Sequence, residues 1–166
     1  MWDVSREAHR IDTKWLMGKE QQDRMTAKYF TSIEEQIKGL NLQIDGAPGH
    51  VLEVDGLITV VDLEGKATIA TMYGETTLRR NPRLLDDLLF VVTNGFWSFM
   101  FGLPRFMAKK AFAARDRIIE SYSELADELE SRGDISGYFR ERFGYVNAWG
   151  VDRKAVGSDM FRNMFA

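Results

Sequence analysis

Candidates for bond-making chemistry are few in this chain. It has two histidines, His9 and His50, and no cysteine. A zinc or iron site needs several ligands brought close together. His9 and His50 lie far apart and lack the His-x-x-x-His spacing of a helical metal site, so both read as surface or turn residues. Without cysteine the chain offers no thiol nucleophile, no disulfide, no cysteine-ligated zinc and no iron–sulfur centre. Asp86 and Asp87 invite an acid–base reading, but adjacent residues on a helix point in different directions. They read as solvated first-turn carboxylates. There is no nucleophile elbow, no P-loop and no GxGxxG. The informative cluster is aromatic and basic. Gly95 and Gly102 bracket FWSFMF, and Arg105, Lys109, Lys110, Arg115 and Arg117 follow. That pattern suits binding rather than catalysis. Its rings can line a pocket for an apolar ligand, pack as core, or rest on an anionic lipid surface beside the cations.

The elements that must position this cluster read as helices. Trp2 to Met17 is charged with weak helical periodicity, Asp3 is placed to cap it, and Gly18 marks a stop or kink. Met25, Tyr29, Ile33, Ile37 and Leu40 then form one apolar stripe at helical spacing. DGAPGH, residues 45–50, is a turn on its Gly and Pro content, and Val51 to Val54 is short and β-prone. Asp55 is expected to cap a helix that runs to Tyr73 and closes at Gly74. Asn81-Pro82 signals the next start, with Asn as cap and Pro at the first helical position. Leu84, Leu85, Leu88, Leu89 and Val92 would share its buried face.

Pro104 is expected to open a long helix with Ala108, Ala111, Ile118, Tyr122, Leu125 and Leu129 along one seam. Arg115 interrupts that seam, and Gly133 fits the stop. Its charges oppose the helix dipole, basic in the first half and acidic in the second. Each misplaced end charge costs about 0.3–1 kcal/mol, so tertiary packing must hold this helix. Asp134 is placed to cap a short helix through Arg140 and Phe143, closed by Trp149-Gly150. Asp152 would cap a last one carrying Val156, Met160 and Met164. The sequence stops on an apolar turn with Phe161, Met164 and Phe165, which reads as a truncation.

With 166 residues and 45% apolar content the chain has the size and composition of one globular region. A net charge of −3 gives no electrostatic case for nucleic acid. The charged MWDVSREAHR start is no signal peptide. Leu88 to Leu103 is the only membrane-like run, and it is short and broken by Thr93, Asn94, Gly95 and Ser98. A shallow interfacial contact through Phe96 to Lys110 is the more natural membrane reading.

The order of elements resembles the central helices of a cytochrome P450, closest to fungal members and to the sterol- and prostanoid-processing branch. HRIDTKWLMG and the amphipathic helix after it look like the family's third lettered helix and its successor. ATMYGETTLRRNPRLLDDLLFVV resembles the Tyr-Gly turn and Asn-Pro start before the helix that roofs the substrate. GLPRFMAKKAFAARDRIIESYSEL resembles the helix after the roof loop, and WGVDRKAVGSDMFRNMFA the approach to the long distal helix. The resemblance covers nearly the whole chain and rests on diffuse helix patterns.

It implies an all-α, P450-like helical fragment of about seven helices, residues 1–166, lacking the haem-ligand loop. The family's cofactor is haem, held through a Cys thiolate that this chain does not have. The family's acid–alcohol pair would follow Phe165-Ala166. The implied chemistry is oxygen insertion into an apolar small molecule, with electrons from an NADPH-dependent reductase. Many family members reside at the endoplasmic-reticulum membrane. Phe96, Trp97, Phe99 and Met100 are the expected substrate contacts, giving apolar shape selection and no catalytic group. The fragment is expected to be inactive alone. A complete small all-α domain that binds an apolar ligand or a partner helix is the alternative.

Overall fold

The computed structural model describes residues 2–129, 131–148, 150, 152, 154, 155, 157 and 158. The described residues form eight α-helices, two π turns and one 3-10 turn, with no strand among them. The helices are α1 (Trp2–Asp12), α2 (Lys19–Gly46), α3 (Gly56–Tyr73), α4 (Glu75–Arg80), α5 (Leu84–Phe90), α6 (Phe96–Met100), α7 (Lys109–Asp127) and α8 (Gly137–Ala148). The all-α expectation holds. Two compact units divide the chain, Met1–Thr76 with Asp134–Phe139 and Thr77–Gly133 with Arg140–Ala166.

In the first unit α2 packs on α3. Asp55 caps α3 as its sequence predicts, its carboxylate accepting the Ile58 amide at 2.9 Å. Gly74 ends the helix at φ +86°, a conformation that favours glycine. Ala67, Ile69, Ala70 and Tyr73 are buried at the C-terminal half of α3. Its first half exposes Leu57, Ile58 and Val60, and the far end of α2 exposes Ile37 and Leu42. The predicted stripe on α2 is thus half-buried at Met25, Tyr29 and Ile33 and open at Ile37. Val51 to Val54 forms no strand.

Caps differ from expectation at two places in this unit. α1 already begins at Trp2, so Asp3 lies inside its first turn. Asp134 does not cap α8. Its carboxylate accepts the Thr76 amide at 3.1 Å, in the first turn of α4, while Ser136 Oγ accepts the Phe139 amide at 3.4 Å. Two acceptors close together in sequence thus serve two helix starts, and spacing alone could not assign them. Tyr73 and Phe139 meet with ring centroids 4.4 Å apart.

In the second unit α5 packs on α7 through Leu84, Leu85 and Leu88 on one side and Ala114, Ile118, Tyr122 and Leu125 on the other, all buried. Asn81-Pro82 forms a turn, with Asn81 O accepting the Leu84 amide at 3.0 Å. The cap position falls to Arg83, without a side-chain bond. α7 begins at Lys109, five residues after Pro104, whose carbonyl instead accepts the Met107 amide at 2.9 Å. The α7 seam is buried as read, from Ala111 to Leu125. The helix stops at Asp127, short of Gly133. The predicted closure at Trp149 and the last helix around Val156, Met160 and Met164 lie outside the described residues.

Candidate functional site

The aromatic cluster sits in the second unit, after a helix that changes its winding. α5 passes into a π turn, Val91–Gly95, and then into α6. Thr93 Oγ1 donates to the Leu89 carbonyl at 2.8 Å and receives Asn94 Nδ2 at 2.7 Å. Such back-bonding to a carbonyl one turn earlier bends and loosens a helix. Gly95 is buried, and a Cβ there would come to 3.2 Å from the Ala111 methyl and 3.3 Å from the Phe99 ring. The wider turn shifts the register, so Val91 is buried and Val92, expected on the inner face, is exposed.

The four predicted contact residues separate into two groups. Phe99 is half-buried against α7, edge-on to Phe112 with centroids 5.2 Å apart at 80°. Phe96 is half-buried and edge-on to Trp97 at 5.6 Å. Trp97 is 60% exposed and stacks on Phe101 at 5.7 Å. Met100, Phe101, Phe106 and Met107 are exposed beside it in sequence, Phe101 at 72% and Phe106 at 71%. The group forms an open apolar ledge. A groove of about 430 Å³ shares Phe106 and Met107 with it and is lined also by Phe90, Asn94, Ser98 and Lys109 among others, but by none of the four.

Most of the basic cluster is consumed internally. Arg115 lies over Phe112 at 4.8 Å and over Phe99 at 5.8 Å, and pairs with Asp116 at 3.1 Å. Arg105 covers Phe112 at 5.4 Å and also pairs with Asp116. Phe112 thus lies close to two guanidiniums that share one carboxylate. Arg117 is tied to Asp87, and that hydrogen-bonded partner holds its pKa above the usual arginine value. Lys109 and Lys110 are exposed and make no ion pair among the described residues.

Asp86 and Asp87 do not share a fate. Asp86 is exposed, whereas Asp87 is 7% exposed and engaged by Arg117, which corrects the reading of both as solvated. The packing of α7 on α5 decides this, and only a cation thirty residues away could have signalled it. Arg115 as the seam's interruption is explained by its two ring contacts.

His9 and His50 are exposed, and no group of three metal-ligating residues occurs among the described residues. With no cysteine, this donor set supplies no thiolate for a haem iron. The residues present do not fit the group on their own. Among the described residues no helix is long and apolar enough to cross a membrane.

Comparison with known proteins identifies one informative relative. The chain is 44% identical over all 166 residues to a protein described as cytochrome P450 monooxygenase poxD, from Penicillium oxalicum. It spans 34% of that relative's length. No protein-family profile matches the chain. No solved structure matches it.

Proposed function

We propose that this chain, 44% identical over all its residues to a cytochrome P450 monooxygenase, forms the roof and distal wall of a haem-thiolate monooxygenase of that family. In that reading the complete enzyme inserts oxygen into an apolar substrate with electrons from an NADPH-dependent reductase. Haem with its thiolate ligand supplies the oxygen chemistry when bound. This chain's residues supply shape. Phe96, Trp97 and Met100 offer the apolar surface, while Phe99 anchors that surface to α7. The 44% identity across every residue of the chain is the observation that supports this reading best.

Alone, the chain is expected to be inactive, since it has no thiolate donor. The reduced chain with added haem and carbon monoxide should show no thiolate-type absorption band, and such a band would overturn the inactivity. In a complete enzyme carrying this segment, Trp97→Ala and Met100→Ala should alter substrate dissociation constants and leave the haem spectrum unchanged. Unaltered constants would remove these residues from the substrate site.

A second reading follows from exposure. Trp97, Phe101, Phe106 and Met107 lie open in the same stretch as Lys109 and Lys110. This is the composition of a peripheral contact with an anionic bilayer such as the endoplasmic-reticulum surface. Two lysines near such a surface contribute about 1 kcal/mol each, so the rings must carry most of the affinity. Flotation of the chain with phosphatidylserine liposomes should drop in Trp97→Ser and Lys110→Glu. Unchanged flotation removes the membrane contact.

A further inference from the structure

A cleft of about 270 Å³ lies between the start of α5 and the middle of α7. Neither reading above uses it, and its lining residues all belong to the second unit. Part of its charge is already balanced. Arg117 grips Asp87, Arg80 pairs with Glu128, and Glu120 is engaged within the chain. Other lining groups are left over. The Asn81 carboxamide and the Ser121 hydroxyl make no hydrogen bond among the described residues, and Arg83 and Glu124 make no ion pair there. Ser121 is the telling one. It is only 9% exposed, yet its oxygen keeps accessible surface. A helical serine commonly donates to the carbonyl one turn back. Ser123 does so to Ile119 at 2.8 Å, and Ser121 does not. A nearly buried hydroxyl without a protein partner is costly unless something else pairs with it.

We propose that this cleft binds a small zwitterion of amino-acid size, its anionic end on Arg83, its cationic end on Glu124 and a polar atom on Ser121 Oγ. The two unpaired charges are opposite in sign, so neither a simple anion nor a simple cation satisfies both. An apolar segment of protein laid over them would desolvate both charges without supplying partners, which is costly. The volume falls below that of drug-sized sites, so the ligand is small. Pro82 and Leu84 also line the cleft and receive its hydrocarbon part. The site stands independently of the haem reading and of the ledge near α6.

The test is calorimetric titration of the full chain with glycine, β-alanine, 4-aminobutyrate and 6-aminohexanoate, a series that separates the two charges by growing steps. The wild type should bind at least one of them saturably, and more weakly as salt is raised. Arg83→Gln and Glu124→Gln alter exposed side chains, so both should fold, as circular dichroism checks. Each should weaken binding by roughly 10-fold, the equivalent of one charge-assisted hydrogen bond. Ser121→Ala should weaken it roughly 3- to 10-fold, the equivalent of a neutral one. Absent saturable binding of any member, or binding indifferent to both charge variants, overturns the site. Butyrate binding as tightly as 4-aminobutyrate would make it a simple anion site, and myo-inositol binding in preference to the series would make it a polyol site. Either result overturns the zwitterion. Loss of binding in a longer P450 carrying this segment would assign the cleft to the rest of that fold and likewise overturn the proposal.

Discussion

Arg117 grips Asp87 with two nitrogens, Nε at 2.8 Å and Nη2 at 2.5 Å. The two residues sit on α7 and α5, so the pair pins together the two helices that flank the aromatic ledge in sequence. The Asp87 side chain is 10% exposed and that of Arg117 49%, so solvent screens one end of the bond only. Arg117→Met should therefore destabilise the chain by about 1–3 kcal/mol, chiefly by leaving the carboxylate buried and unpaired. Adding Asp87→Leu to it should recover part of that loss. Denaturant unfolding of the two singles and the double measures this, and strict additivity would show the bond to be energetically idle.

The cluster of Arg105 and Arg115 at Phe112 makes a less obvious prediction. Arg115 gains from its ring contacts, each on the order of 0.5–2 kcal/mol. Its Nε is buried without a partner, which costs about as much. Arg115→Met keeps the hydrocarbon and discards both effects, so thermal unfolding should move by only about 1 kcal/mol equivalent in either direction. Phe112→Ala removes the ring that Arg105, Arg115 and Phe99 share and should cost about 2–3 kcal/mol.

Gly137→Ala should be destabilising by about 1–3 kcal/mol even though alanine is the better helix former. The new methyl would meet the Trp15 ring, and that ring must move. A shift in tryptophan fluorescence should accompany the loss of stability. A variant as stable as the wild type, with unchanged emission, would show that the indole is free to yield.

Lys28 gives a pH signature. Burial lowers its pKa below the ordinary 10.5, only partly opposed by Asp134 and Glu75. The unfolded chain then binds the proton more tightly than the folded one. Stability should climb as pH rises from the folded value toward 10.5, and the cost of the buried charge is fully present below that window. Melting temperatures across this alkaline range, compared with Lys28→Met, test it. An identical slope in the variant would assign the effect to another group.

Legibility in the sequence followed the range of the interaction. Asp55 and Gly74 bound α3 because a cap and a positive-φ stop depend on a few neighbouring residues. The stripe from Ala111 to Leu125 was readable for the same reason, being one helix's own periodicity. Long-range partners were not. Asp87 looked solvated until α7 brought Arg117 to it, and Asp134 looked like the cap of α8 until the start of α4 claimed its carboxylate. Pro104 misled because proline suits a tight turn as well as a first helical turn. At the ledge, composition found the aromatic stretch, but only packing separates the anchored Phe99 from the outward Trp97.

The widened turn at Val91–Gly95 also determines how this segment tolerates insertions and deletions. Excising one residue there would return the chain to ordinary winding and rotate everything beyond it by about 100°. Trp97 would then swing away from its present outlook while its sequence neighbours stayed the same. The outward face of the ledge is thus set by a spare residue in the backbone as much as by the aromatic side chains themselves.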